Sequence, residues 1–312
     1  MKDLSKDSAT LTEIGEDGAG QRIDNFLARH LKGVPKSHIY RILRSGEVRV
    51  NKKRVDQTCR LQLGDLIRIP PVRLAEKAEV AYVPAAEFPI LHEDDAILAI
   101  DKPADVAVHG GSGVSFGVIE QLRQSRPQAR FLELVHRLDR ETSGILLLAK
   151  KRSALTALHE QMREGKTDKR YLALVIGQWK NAKQHVRLPL HKFTRPDGER
   201  RVMVREDGQQ SHTVFTLQQR YGEFSLLEAQ LKTGRTHQIR VHLAHLGFPI
   251  AGDEKYGDFA RNKELAKSGL KRMFLHAHAI AFAHPVTGEE VRLQAELPEE
   301  LRRFLEKNPS SE

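Results

Sequence analysis

Apolar side chains first fall into a helical period at Ile23, Phe26, Leu27 and Leu31, and Gly33 closes that run. Pro35 suits the first position of a second helix, with Ile39, Ile42 and Leu43 on its apolar side and Gly46 as its stop. Alternation then predicts short strands at Val48-Arg49-Val50 and Leu66-Ile67-Arg68-Ile69, with turns at Asn51-Lys52-Lys53 and Gly64-Asp65. Residues 74–89 carry Ala, Glu, Val and Pro without a period and read as a linker. Beyond it, strand-like apolar runs recur at 96–100, 131–135, 144–149, 171–176, 213–217, 225–231 and 278–283, interrupted by helical patterns near 152–164 and 236–246. Strand runs outnumber helices and do not alternate strictly with them. The expected fold is therefore α+β: a larger domain with a mixed or antiparallel β-sheet and flanking helices and loops, preceded by a small α+β module. The expected boundaries are a flexible N-terminal segment at 1–20, the small module at 21–83, the larger domain at 84–306 and a tail at 307–312.

Charge sharpens this division. The net charge of +10 and pI near 9.7 point to a polyanionic partner. Residues 21–73 hold 13 Lys and Arg against 4 Asp and Glu, while residues 1–20 and 74–312 net only −3 and +4. The basic side chains Lys36, Arg41 and Arg44 lie opposite the apolar side of the second helix, and Lys52 and Lys53 sit in the following turn. Tyr40 stands among them, where a ring can stack on a base. Cys59 is the only cysteine, which excludes an internal disulfide and a cysteine zinc site. The first residues lack the apolar stretch of a signal peptide, and no run approaches the ~18 residues of a membrane span. A soluble, cytoplasmic protein is expected.

The densest chemistry is His136-Arg137-Leu138-Asp139-Arg140-Glu141-Thr142-Ser143-Gly144, a polar string between two apolar runs. Asp139 should sit on a loop held by two strands, with guanidinium neighbours that suit a charged nucleophile better than a general acid. Taken alone, the string also fits a surface ion pair. A carboxylate pair of Asp139 with Glu133 or Glu141, as a glycoside hydrolase would use, is a further alternative, against which flanking arginines make a poor acid of either neighbour. Lys169-Arg170-Tyr171 starts a strand with a tyrosine between bases. In Thr233-Gly234-Arg235-Thr236-His237-Gln238-Ile239-Arg240-Val241-His242, Thr236 can cap a helix running to Gly247 with Ile239, Leu243 and Leu246 buried, leaving Arg240 off that stripe. His237, His242 and His245 invite a zinc reading, but no cysteine or adjacent carboxylate supports it. Gly111 and Gly113 are followed by Phe116 where a dinucleotide fingerprint needs glycine, so that segment reads as a turn.

The nine-residue string resembles the His-Arg-Leu-Asp-x-x-Thr-Ser-Gly signature of the RluA-type pseudouridine synthases. The 169–171 and 233–242 strings resemble that family's further motifs. Residues 97–113 resemble its first, with Asp101 in place of the usual Asn and Asp105 in place of the usual Gly. The small module resembles an S4 RNA-binding domain. The resemblance implies isomerisation of uridine to pseudouridine, with Asp139 as the catalytic carboxylate and Arg240 as its partner. It implies that Tyr171 packs on the uracil and aids proton transfer, and that Arg137 enters the space left by a flipped base. Lys36, Tyr40, Arg41, Arg44, Lys52 and Lys53 would contact RNA. It further implies no metal and no cofactor, an RNA partner (large-subunit ribosomal RNA ahead of transfer RNA), and a monomer. An S4-type ribosome-assembly factor with a decayed catalytic domain is the competing reading, against which Asp139, Tyr171 and Arg240 are all present.

Overall fold

The computed structural model describes residues 9–31, 33–72, 82–111, 114–308 and 310–311. Two compact units divide the chain, Met1–Tyr82 and Val83–Glu312.

The first unit packs β1 (Thr10–Glu13), α1 (Ile23–His30), α2 (Lys36–Arg44), β2 (Arg49–Val50), β3 (Lys53–Arg54) and β4 (Leu66–Ile69). Its sheet runs β1-β4-β2-β3 with antiparallel pairing. The helical stripes of α1 and α2 meet in its core, where Ile23, Leu27, Leu31, Ile39 and Ile42 are buried against Val48, Leu61, Ile67 and Ile69. The segment expected to be flexible is not so over its described part. Thr10–Glu13 pairs with β4, Thr10 opposite Ile69, and Ile14 is buried in the core. Four strand-compatible residues are enough when a partner edge waits for them. Residues 1–8 and 73–81, the latter including 74–81 of the expected linker, lie outside the described residues. Glu87, also assigned to the linker, accepts hydrogen bonds from Ser125 and Arg126, and Phe88 packs on the core of the second unit.

That unit comprises β5 (Ile90–Glu93), β6 (Ile97–Lys102), α3 (Val118–Ser125), β7 (Glu133–Leu134), β8 (Ser143–Ala149), α4 (Arg152–Arg163), β9 (Asp168–Ile176), β10 (Lys183–Arg187), β11 (Leu190–Thr194), β12 (Arg200–Val204), β13 (His212–Tyr221), β14 (Phe224–Leu231), α5 (Gln238–His245), α6 (Phe259–Lys267), β15 (Leu275–Ala283), β16 (Glu290–Gln294), α7 (Glu299–Lys307) and β17 (Ser310–Ser311). The main sheet runs β10-β13-β14-β9-β15-β8-β6-β5, with β16, β7 and β17 paired at its sides. Because β17 pairs with β13, the expected tail ends on the sheet. The β15–β8 pair is parallel and the other named pairs are antiparallel, which makes a mixed sheet.

β8 is buried at every residue because both faces are covered. Leu146 and Leu148 join one core with Leu98, Ile100 and Phe215, while Ile145 and Leu147 join another with Leu155 and Leu158 of α4. β11 and β12 form a separate hairpin, and Leu190 and Val202 pack with Val241 of α5 in a small third cluster.

Gly144 sits at the parallel joint, opposite Ala277, with φ +109°. A side chain there would bring Cβ to 2.7 Å from Ala277 N and closer still to its carbonyl oxygen. The glycine of the nine-residue string is thus required by packing and by backbone conformation together. Gly144→Ala should destabilise this unit by at least about 2 kcal/mol, through left-handed strain and a forced shift of β15. Urea unfolding followed by the fluorescence of Trp179, the single tryptophan, which lies in this core, measures it. An unchanged midpoint would contradict that account.

Candidate active site

The His136–Thr142 loop between β7 and β8 is fixed from below by Lys102, at the end of β6. Lys102 is fully buried, and its Nζ donates to the carbonyls of Pro103 (2.7 Å), Val106 (2.8 Å) and Arg140 (3.1 Å). Burial, then the charge of Arg272, pushes its pKa down to about 7. All three N–H donors are used, one of them on the loop itself. Asp105 beside this anchor has φ +63°, the left-handed region in which the family's usual glycine is at ease and Asp is tolerated. Within the loop, Thr142 N donates to Asp139 O at 3.1 Å. His136 Nε2 accepts from Leu147 N at 3.2 Å, and burial drives its pKa down to about 3, so the ring stays a neutral acceptor.

Asp139 is held from α5. Its Oδ2 accepts from Arg240 at 3.1 Å, and its Oδ1 lies 3.8 Å from His237 Nε2. Arg240 is only 3% exposed and is gripped on its other edge by Asp253, with Nε and NH2 donating to the two carboxylate oxygens at 2.8 Å each. Burial works against the guanidinium charge, but the hydrogen bonds and charge of Asp253, then Asp139 and Glu141, raise its pKa overall. Asp253 is buried as well, yet Arg240 and the amides of Lys255 and Tyr256 hold its pKa below the ordinary range.

The start of α5 departs from expectation. The helix begins at Gln238, and Thr236 does not cap it. Gln238 does the local work instead, its Oε1 accepting from Arg235 N (3.0 Å) and Thr233 Oγ1 (2.8 Å) while its amide donates to Thr213. Buried residues also extend past the apolar stripe to Arg240 and His242, because carboxylates and the hydroxyls of Ser211 and Thr213 satisfy them there. His242 is thereby engaged, His237 Nδ1 meets Tyr256 at 2.7 Å, and His245 is exposed. Among the described residues no three His, Cys, Asp or Glu side chains are grouped to hold a metal ion.

Asp139 opens on a cleft of about 710 Å³ that Arg137, Tyr171 and Arg240 also line. Sequence reading therefore named four residues that the fold brings together. Tyr171, from β9, is 8% exposed, and burial followed by the nearby Asp139 charge raises its pKa, so it is a neutral phenol. Arg137 is exposed, and Lys169, Arg163, Lys232 and Arg235 add positive charge around the opening. Glu133 pairs with Arg123 at 2.8 Å and does not line the cleft. In the first unit Lys36, Arg41, Arg44, Lys52 and Lys53 are exposed. Tyr40 is half-buried, packs partly against the core, and its hydroxyl donates to Asp24 at 3.4 Å. Asp253, Lys102 and Tyr256 were not singled out from the sequence and His237 was weighed there only as a metal ligand; Asp253 and Tyr256 lie in an irregular stretch between α5 and α6 that no periodicity marks.

Residues 96–245 match the RNA pseudouridylate synthase family and residues 21–67 match the S4 domain. The chain belongs to the RNA pseudouridylate synthase family and is a pseudouridine synthase carrying an S4 domain. It is 56% identical over 308 residues to the ribosomal large subunit pseudouridine synthase C of Escherichia coli (strain K12), covering 96% of this chain and 97% of that one. It is 55% identical over 298 residues to the protein of that name from Pasteurella multocida (strain Pm70), covering 94% and 91%. Among solved structures, human RNA Pseudouridylate Synthase Domain Containing 4 superposes with TM-score 0.58 at 26% identity, covering 72% of this chain and 94% of that one.

Arg240→Ala would strand Asp253, which is 1% exposed, and should cost about 3–5 kcal/mol at neutral pH. The pH dependence follows from the sign of the shifts. In the native protein Asp253 has a lowered pKa, so its contribution is complete above its ordinary value of 3.8 and fades as pH falls through the lower folded value. In the variant the Arg240 charge is gone and burial acts unopposed by it, so acid relieves the variant. The stability gap should narrow between about pH 7 and about pH 3. A gap that stays constant over that range, by Trp179-monitored unfolding, would show that Asp253 is not held by Arg240.

Proposed function

We propose that this enzyme converts specific uridines of large-subunit (23S) ribosomal RNA to pseudouridine, with Asp139 as the catalytic carboxylate. The observation that carries the reading is one carboxylate, half-buried and held at Oδ2 by a buried arginine, in an otherwise cationic cleft that also holds a neutral tyrosine. The reaction breaks the N1–C1′ bond, turns the uracil and joins C5 to C1′. The C5 proton leaves and N1 gains one, so nothing is oxidised or hydrolysed.

A stacked base cannot turn, so the nucleotide is flipped into the cleft first. Arg137, exposed at the cleft, fills the vacated stack, where a planar guanidinium both stacks and donates hydrogen bonds. Asp139 acts on the flipped nucleotide while Arg240 fixes its position and charge. Tyr171 packs on the uracil and helps pass the C5 proton. Ribosomal RNA as the substrate is supported by relatives of that name that match both units over nearly their whole length. The enzyme works in the cytoplasm as a monomer, without a cofactor or metal ion. Among the described residues, no helix is long and apolar enough to cross a membrane.

Asp139→Asn should abolish tritium release from RNA made with C5-tritiated uridine while leaving folding and RNA affinity nearly unchanged, because the amide is isosteric but a poor nucleophile and Asp253 still pairs Arg240. Turnover within about tenfold of wild type would remove Asp139 from the chemistry.

Exposed Lys36, Arg41, Arg44, Lys52 and Lys53 supply cations to the RNA phosphates. Replacing all five with alanine should flatten the log K against log salt slope by roughly 0.7–0.9 for each phosphate no longer neutralised. An unaltered slope would mean that these side chains do not touch phosphate.

A further inference from the structure

Arg240 holds only one oxygen of Asp139. The other, Oδ1, faces His237 Nε2 at 3.8 Å. His237 is the residue before α5 and adopts φ +52°, a left-handed conformation that a non-glycine residue keeps only when its surroundings hold it there. Its Nδ1 lies 2.7 Å from the hydroxyl of Tyr256, and that hydroxyl accepts from Val202 N of β12 at 3.0 Å.

These contacts assign the tautomer. With Val202 donating to the phenol oxygen, the phenol's own proton goes to Nδ1, and the remaining ring proton sits on Nε2, facing Asp139. Burial lowers the pKa of His237 and pushes that of Tyr256 up to about 12, so the ring is neutral and the phenol protonated. The Tyr256 ring also lies 5.2 Å from the Arg240 guanidinium carbon and packs with Leu190, Val202 and Val241. One tyrosine therefore touches both groups that face Asp139 and the hairpin as well.

We infer that His237 is a positioning residue, oriented by Tyr256 and the β11–β12 hairpin, that donates Nε2–H to Oδ1 of Asp139 once substrate closes the site. The inference rests on Asp139 being the catalytic carboxylate. With Arg240 on Oδ2 and His237 on Oδ1, the carboxylate cannot rotate about its bond to Cβ. Catalytic hydrogen bonds that are long in an empty site tighten in the complex.

Two substitutions at His237 separate positioning from a mere turn requirement, because the two roles rank them in opposite order. Asparagine favours left-handed backbone but its amide reaches only the Nδ1 position. Glutamine has no such backbone preference, yet its amide nitrogen can reach the position of Nε2. His237→Asn should lower the single-turnover rate of tritium release by about 10- to 100-fold, the size of loss a misoriented catalytic group causes, with RNA affinity unchanged. His237→Gln should recover most of that rate. Tyr256→Phe keeps the ring but removes the hydroxyl that sets the tautomer, and should fall with His237→Asn.

Wild-type rate in His237→Asn, or glutamine slower than asparagine, would overturn the inference. Should His237→Asn fail to fold, Tyr256→Phe carries the same test without touching the turn, and a wild-type rate there would also overturn it. Asp139→Asn in the same assay keeps the two failures apart. If it retains activity, the Asp139 reading falls; if it is dead while His237→Asn is active, only the positioning role does.

Discussion

The commitment of one guanidinium to carboxylates on both of its edges is the interaction on which this site depends. Arginine offers five N–H donors in a rigid fork, and here the Nε/NH2 edge is spent on Asp253 while NH1 serves Asp139 at 3.1 Å and, at 3.5 Å, Glu141. Asp253 sets the plane and direction of the guanidinium before any substrate arrives, and Asp139 is then placed by what remains. A lysine could neutralise either carboxylate but has no planar fork to pin one while presenting a donor to the other. The cost of burying these charges is offset because each is hydrogen-bonded, Asp253 by two backbone amides besides Arg240. That arrangement also explains why α5 is buried past its apolar stripe.

Much of the scaffold was legible because its signals are local. The two-sided burial of β8 appears as an unbroken apolar run, the helices of the first unit as clean 3.6-residue stripes, and the loop between β7 and β8 as a polar string between such runs. What was not legible depends on distant pairing. Thr10–Glu13 looks like a polar lead-in until the edge of β4 supplies its partner. Thr236 has the chemistry of a cap and stands before an apolar run, but Gln238 took the neighbouring donors with a longer side chain. Asp253 and Tyr256 lie in an irregular stretch between α5 and α6 where no periodicity marks either residue. The strings at 136–144 and 233–242 were recognisable as a family pattern, which is how Arg240 was found. Its second carboxylate lay outside any motif.

The loop that carries Asp139 is held on three sides by different kinds of force. Lys102 ties Arg140 from below through a carbonyl, Gly144 lets β8 run against β15 immediately after the loop, and Arg240 holds the carboxylate itself. None of these is a loop–loop contact, and each comes from a strand or helix whose own position is set by the apolar cores. A carboxylate placed this way has little orientational freedom left to lose in a reaction, because that freedom was removed on folding.

Charge is divided along the chain in a way that suits this rigidity. The strongly basic stretch lies in residues 21–73, while residues 74–312 are nearly balanced and place Arg137, Arg163, Lys169, Lys232 and Arg235 around the cleft. In the proposed reading, phosphate contacts made by the basic residues of the first unit strengthen RNA binding through counterion release. Arg137, Arg163, Lys232 and Arg235 of the cleft are exposed, whereas Arg240 is already committed to protein carboxylates. An arginine left free beside Asp139 would be drawn to phosphate. One locked by Asp253 is not, and that is what lets a carboxylate keep its place in a site built to attract a polyanion.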